Sequence, residues 1–478
     1  MRKGKQRNTL TESFPSTPRF SSPQRLSFRL FPPTPVLVKV NSLWPNPLRV
    51  GCMIYVAWLA WILPWSPVRP CVIRPLSQWY PSINMSSSAG IPSSYCEARE
   101  KTFEERATIG LVLFLELTMQ LRALVLASIV VCSQALDTVQ YGAFIATATY
   151  SVANQLGFFA ENGLNVVYSQ VPNSTAAFAS ILNGEYDILT ATVDNALNYR
   201  FNQNQNVTVI GQLDQGPDLV LASIPSITSV EQLKGKPIIV DSPVSGYAYL
   251  LQDVLSAYGL SLANGDYYFM TVGGTPQRYS ALVNQVLPNG TAVYATILTY
   301  PFTVEGEALS AEETPNILAR ISDVIAPVTS SAFTIRQSSL SNKTEAALLT
   351  RFMASMHAAN RFLLNPKNKA CSIQALAKQL GVSQAVASQE YASATNPVSG
   401  EISPPLNDFT VNQTGIMNDV AVRNKFGGFT VPSGFNFTEA LIPGTGKLID
   451  YSIKNAAVTE YSRHRFHSNC TTPSSRDF

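Results

Sequence analysis

From Asp137 onward, apolar residues fall into short strand-like runs separated by longer runs of helical period. Asp137-Thr-Val-Gln-Tyr-Gly predicts a strand closed by glycine. A helix over 150–159, a strand over 165–171, a helix over 174–183 and a strand over 186–191 are expected to follow. The order then returns, with a strand at 236–241, a helix at 246–258, a strand at 266–272, a helix at 276–285 and a strand at 292–298. Alternation of this kind predicts α/β lobes with parallel-type sheets covered by helices on both faces. The halves share a phrase, Asn183-Gly-Glu-Tyr-Asp-Ile-Leu and Asn289-Gly-Thr-Ala-Val-Tyr-Ala, each a helix end, a glycine turn and a strand entry. Past Ser338 the pattern is helical, at 344–364, 372–380 and 384–394, with a closing helix at 417–426. The pair 372–380 and 384–394 has helix-turn-helix spacing, but without a basic stripe it is expected to pack and not to read nucleic acid.

The first 118 residues carry neither period. They are rich in Pro and Ser, hold all five Trp and three of the six Cys, and contain 14 Lys/Arg against 6 Asp/Glu. Because the whole chain has 34 basic and 31 acidic residues, its net charge of +3 hides a basic leader before a mildly acidic body. Residues 119–135, MQLRALVLASIVVCSQA, have the start, charge, apolar run and small-residue exit of a secretory signal peptide. Such a signal is read as it leaves the ribosome. Met119 is therefore the expected start in the cell, and 1–118 a disordered leader or an over-extended gene prediction. The competing reading is a membrane span over 109–131, but Glu116 and Arg122 would lie inside it. The apolar patch at 52–65 is too short to span a bilayer.

The body suits two lobes: lobe 1 from 136–216, lobe 2 from 217–325, a return to lobe 1 over 326–458 and a disordered tail at 459–478. Cys371 is the only body cysteine before Cys470 in the tail, so neither a disulfide framework nor a structural zinc is expected. Glycosylation signals occur at Asn173, Asn206, Asn289, Asn342, Asn412 and Asn436, and again at Asn469. Behind a signal peptide they predict a secreted, extracellular glycoprotein of eukaryotic type.

Ala153-Asn-Gln-Leu-Gly-Phe-Phe-Ala-Glu-Asn-Gly-Leu-Asn-Val resembles a segment of type II solute-binding proteins of the nitrate, sulfonate and taurine group, a fold shared with thiamine-pyrimidine synthases. Leu182-Asn-Gly-Glu-Tyr-Asp-Ile, Val230-Glu-Gln-Leu-Lys-Gly-Lys-Pro-Ile-Ile-Val, Arg278-Tyr-Ser-Ala-Leu and Ala295-Thr-Ile-Leu-Thr-Tyr-Pro stand in the order of that family. Val286-Leu-Pro adds residues before the Asn289-Gly turn. The resemblance implies a type II periplasmic-binding-protein fold: two lobes, each a mixed sheet flanked by helices, joined by a hinge around a central cleft. It implies capture of a small molecule there.

Elementary geometry points to the same cleft, since ligands of open α/β sheets sit at the carboxyl ends of strands, facing helix N-termini. The loops so placed hold candidate ligand-binding residues: Phe144 and Thr149 after the first strand, and Ser174 and Thr175 after the second. Asp194, Asn195 and Asp214 follow in lobe 1, and Ser242, Ser245, Gly246, Tyr247, Thr275 and Tyr300 in lobe 2. Each hydroxyl among them also suits plain helix capping. Asp194 and the 245–247 loop are expected to face each other across the crevice. The nearby bases, Arg200 and Arg278, lie on predicted helices as solvated faces, so no arginine fork for a strong anion is expected. A neutral or amine-bearing ligand, stacked on Phe144, Tyr247, Tyr300 or Phe302, follows from that.

Catalysis finds little support. The single body histidine, His357, lies in an amphipathic helix, and neither a Ser-His-Asp set nor a Gly-x-Ser-x-Gly elbow can be assembled. The enzyme class to weigh, thiamine-pyrimidine synthase, needs a lysine, a histidine and a cysteine cluster, and the 143–150 loop has neither Lys nor His. The reading is a monomeric, non-enzymatic binding protein without cofactor, metal or nucleic-acid partner. A diverged synthase and an interaction module that lost its ligand are the alternatives.

Overall fold

The structure is a computed structural model describing residues 116–120, 122, 135–214, 216, 218–404, 407–463, 466 and 470. Nearly all of the expected leader and signal segment, and Asn469, lie outside the described residues. Ten strands run β1 (Asp137–Ala143), β2 (Leu164–Gln170), β3 (Ile188–Ala191), β4 (Val207–Gln212), β5 (Val220–Ser223), β6 (Pro237–Val240), β7 (Tyr268–Thr271), β8 (Ala295–Leu298), β9 (Asn316–Arg320) and β10 (Ala332–Arg336). They form two five-stranded sheets of the same design, β2-β1-β3-β10-β4 and β7-β6-β8-β5-β9.

In each sheet four strands point the same way, and one, arriving from the other lobe, runs against them. β10 is antiparallel to β3 and β4, and β5 is antiparallel to β8 and β9. Both sheets are therefore mixed, as the resemblance implied, where the β-α alternation alone pointed to parallel-type sheets. β4 and β5 are buried at every position, so they show no alternation by which the sequence could reveal them. The two crossovers, β4 to β5 and β9 to β10, touch. Gly216, at φ +109°, lies 3.2 Å from the Val328 carbonyl at its would-be Cβ, which requires a glycine there.

Local chemistry sets the helix ends. The run expected at 150–159 divides into Ala148–Gln155 and Phe158–Glu161 because Gly157 takes a left-handed conformation between them. Asn173 caps Ser174–Asn183, and Ser245 caps Gly246–Ala257. The long helix Lys343–Leu363 covers the first sheet, with the Phe352 ring 5.2 Å from both Tyr141 and Phe159. The second lobe buries its own core of aliphatic residues around Leu221, Ile239, Leu251 and Ile297.

The C-terminal end departs from expectation. Helix Gln413–Lys425 does not close the fold; Ser452–Arg463 does, packing along Lys343–Leu363 past the expected tail boundary at 459. Tyr461 reaches the His357 ring at 4.6 Å, and Phe466 stacks on Tyr461 at 5.8 Å. Cys470 is bonded to Cys371, with Cα atoms 5.9 Å apart, which corrects the expectation of unpaired cysteines. The physical reason is that helix Lys369–Leu380 brings Cys371 to the surface the returning chain crosses, a proximity across 99 residues that spacing cannot show. His357 is a buried residue whose Nε2 bonds Asp408 at 2.9 Å. Among the described residues, no helix is long and apolar enough to cross a membrane.

Candidate functional site

The carboxyl ends of the parallel strands of both sheets meet across one narrow cavity of about 30 Å3. The lobes are closed on each other around it. Ser174 N–H donates to Asp241 Oδ2 at 3.0 Å, Gly246 N–H to Asn195 Oδ1 at 3.0 Å, and the hydroxyls of Tyr247 and Ser330 meet at 2.9 Å. Helix N-termini of opposite lobes thus bond to side chains across the seam, satisfying N–H groups that no intrahelical carbonyl could. A Cβ on Gly246 would lie 2.7 Å from Thr192 Oγ1 and 2.9 Å from Asp194 Cβ, so this glycine permits the approach.

Of the residues expected from sequence, Phe144, Asn195, Ser245, Tyr247 and Thr275 line the cavity. The others are displaced from it. Asp194 does face Gly246, but Arg423 grips it through Nε–Oδ1 at 2.8 Å and Nη2–Oδ2 at 2.6 Å, so its carboxylate is already paired. Ser174 and Gly246 serve the seam through their backbones, while Thr175 is exposed. Thr149 is buried behind the cavity wall, and Ser242 accepts from Val244 N–H at 3.4 Å. Asp214 accepts from Gly216 and Ser330 N–H in the crossover, and burial pushes its carboxyl up to about 6. Tyr300 packs against the helix Gln384–Ala394, bonded to Ser393, and Phe302 packs on Tyr279 at 5.0 Å.

Arg278 reverses the expectation of a solvated face: it is 1 % exposed and lines the cavity. Its Nε donates to the Gly273 carbonyl at 3.1 Å, Nη1 to Thr296 Oγ1 at 2.8 Å and the Ile297 carbonyl at 2.5 Å, and Nη2 to Thr275 Oγ1 at 3.0 Å. Two carbonyls, Ile297 of β8 and Gly273 after β7, and two threonine hydroxyls take up these donors, a role invisible in a helical pattern that carries a lone arginine. Burial lowers its pKa, while nearby Asp241 opposes the shift. Thr192 and Thr299 also line the cavity, from loops that sequence reasoning places at strand ends without naming either residue as a ligand contact, whereas Glu401, on the same lining, escapes that reasoning altogether. The Thr192 and Thr299 hydroxyls, from opposite lobes, are buried and find no partner among the described residues.

Residues 145–367 match the family described as NMT1/THI5 like. A protein of Bordetella bronchiseptica RB50 superposes with a TM-score of 0.53 at 16% identity, covering 69% of this chain and 98% of that one. Residues 145–367 thus carry the NMT1/THI5-like match, and the two mixed sheets of one design, joined by two crossovers, have the two-lobed architecture that the resemblance implied. The alkanesulfonate-binding protein of Xanthomonas axonopodis pv. citri, bound to MOPS, is also similar, at a TM-score of 0.49 and 17% identity over 62% of this chain and 94% of that one. So is the periplasmic nitrate-binding protein of Synechocystis PCC 6803, at 0.49 and 12% over 68% and 89%. No curated protein matches this chain in sequence. For a type II periplasmic-binding-protein fold the seam and cavity described above lie where the two lobes meet over the hinge, and the matched segment includes cavity residues Thr192, Tyr247, Arg278 and Thr299.

Proposed function

We propose that this protein is a secreted solute-binding protein that captures a small molecule between its lobes and performs no covalent chemistry on it. One observation carries the reading: two residues of the cavity lining, Thr192 and Thr299, come from opposite lobes with buried hydroxyls that find no partner among the described residues. A buried unsatisfied polar group costs roughly 1–3 kcal/mol, and two that converge on one space are satisfied together by one polar solute. Among the described residues the cavity lining contains no His, Cys or Lys, which favours binding over a diverged synthase. The Cys371–Cys470 bond and the exposed Asn206, Asn289, Asn342 and Asn436 sequons support an oxidising, glycosylating route of export.

The test is recovery of the protein from culture medium, with N-terminal analysis and mass spectrometry of what it releases on denaturation. The expected result is a mature end near residues 135–137, a released small molecule, and at least tenfold less of it from the Thr192→Val/Thr299→Val variant. A Met1 end on the product sinks the secretion reading. Equal recovery from the variant, or no small molecule at all together with a scattering radius that no candidate solute reduces, sinks the capture reading and favours an interaction module.

A further inference from the structure

The formal charges on the cavity wall are Arg278 and Asp241 from one lobe and Glu401 from the other. Arg278 is poorly placed as an anion fork. Four of the five N–H groups of a guanidinium are taken here by two carbonyls and two threonine hydroxyls. Asp241 uses one oxygen on Ser174 N–H and the other on Ser245 Oγ, and its field falls on Arg278. These two opposite charges offset each other at one end of the cavity.

Glu401 stands apart. It is 5 % exposed, accepts one hydrogen bond, from Ala148 N–H, and among the described residues has no Lys, Arg or His within ion-pair distance. An ionised carboxylate has about four lone-pair sites, so the bond from Ala148 leaves most of them for a group in the space that Glu401 lines. Burial first, then Asp214, pushes Glu401 up to about 8, with the Ala148 bond acting the other way, as expected of a buried carboxyl that lacks a countercharge. Phe144, Ile145 and Tyr247 supply apolar and aromatic wall for a short carbon frame or a cation over a ring.

We infer that Glu401 is the specificity-determining residue of the cavity, that it recognises a basic nitrogen, and that the captured solute is a small organic amine and not an oxoanion. This rests on the capture reading above and gives it a ligand class. The ammonium group donates to Glu401, while Thr192 and Thr299 bond polar groups along the frame. Because the incoming cation favours the ionised carboxylate, binding near pH 7 displaces a proton from Glu401 to the buffer.

The experiment is calorimetric titration of the purified, ligand-stripped protein with methylammonium, ethanolamine and guanidinium, alongside nitrate and methanesulfonate, in two buffers of different ionisation enthalpy. At least one cation is expected to bind with proton release. Glu401→Gln should weaken it at least tenfold and abolish the buffer dependence while melting no lower than the parent, and Glu401→Asp should retain part of the affinity. Unchanged cation binding in Glu401→Gln, or no cation binding at all, overturns the inference. Should nitrate or methanesulfonate bind and be lost in Thr192→Val/Thr299→Val, the amine assignment falls while the capture reading stands. If Glu401→Gln fails to fold, the Glu401→Asp titration and the parent's proton release decide: an oxygen shifted by one methylene must weaken a direct ligand contact, and unaltered affinity overturns the inference.

Discussion

Arg423 and Asp194, 229 residues apart, form a buried two-bond ion pair whose guanidinium also donates through Nη2 to the Val244 carbonyl of the other lobe at 2.8 Å. The same guanidinium lies 4.2 Å from the Tyr249 ring, and two residues on, Lys425 Nζ meets Asp253 Oδ1 at 2.6 Å. Helix Gln413–Lys425 therefore holds helix Gly246–Ala257 of the opposite lobe by charge and by ring contact. The pair is a closure brace, with no carboxylate left for a ligand.

Removing one partner of such a pair leaves a buried charge unmatched, which costs about 3–5 kcal/mol. Asp194→Ala is expected to lower the unfolding free energy by that order. Arg423→Lys keeps the charge but loses the planar fork and the Val244 contact, so it should open the lobes with a smaller stability loss. Denaturant unfolding and small-angle scattering check both, and an unchanged scattering radius in Arg423→Lys would show that the brace does not hold the lobes.

Glu390 gives a pH dependence. It is buried on helix Gln384–Ala394, its Oε1 finds no partner among the described residues, and burial with the fields of Glu401, Glu305 and Glu307 pushes it from 4.5 up to about 9. Since the folded-state pKa is raised, its contribution to stability is fully present below about pH 4.5 and is lost as pH rises through about 9. Glu390→Gln, which cannot ionise, is expected to gain over the parent by up to ~1.4 kcal/mol per pH unit across that window. Melting curves at pH 5 and pH 8 test this, and a gain that does not grow with pH refutes it.

The Cys371–Cys470 bond closes a loop of 99 residues and ties the chain end to helix Lys369–Leu380. Cys371→Ser is expected to lower stability by about 2–4 kcal/mol. Neither cysteine lines the cavity, so solute affinity should stay within twofold. Unfolding curves with and without reductant, paired with calorimetric titration, measure the two effects separately. Lost affinity in a folded variant would tie the bond to the site.

Much of this molecule is legible one residue after another. The β-α alternation, the capping residues Asn173 and Ser245, and the loops that follow strand ends are local facts, because strand and helix periods and cap chemistry operate over a few residues. They sufficed to predict α/β lobes, while the hinged cleft was implied by the family resemblance, and they pointed to the loops from which Asn195, Ser245, Tyr247 and Thr275 line one cavity. The crossing strands β5, buried throughout, and β10, buried at all but its last position, escaped because such a strand has no alternation and its direction depends on which lobe the chain arrives from. Arg278 looked like a solvated helix residue until Thr296 and the Ile297 carbonyl of β8 came beside it, and Asp194 looked like a ligand residue until Arg423 did. Glu401, from a loop more than 250 residues beyond the Ala148 it contacts, carries no local signal at all. Secondary structure and capping are decided by neighbours in sequence, whereas the charge state and free valences of a cleft depend on which distant groups fill each other's hydrogen bonds, and only the closed tertiary structure decides that.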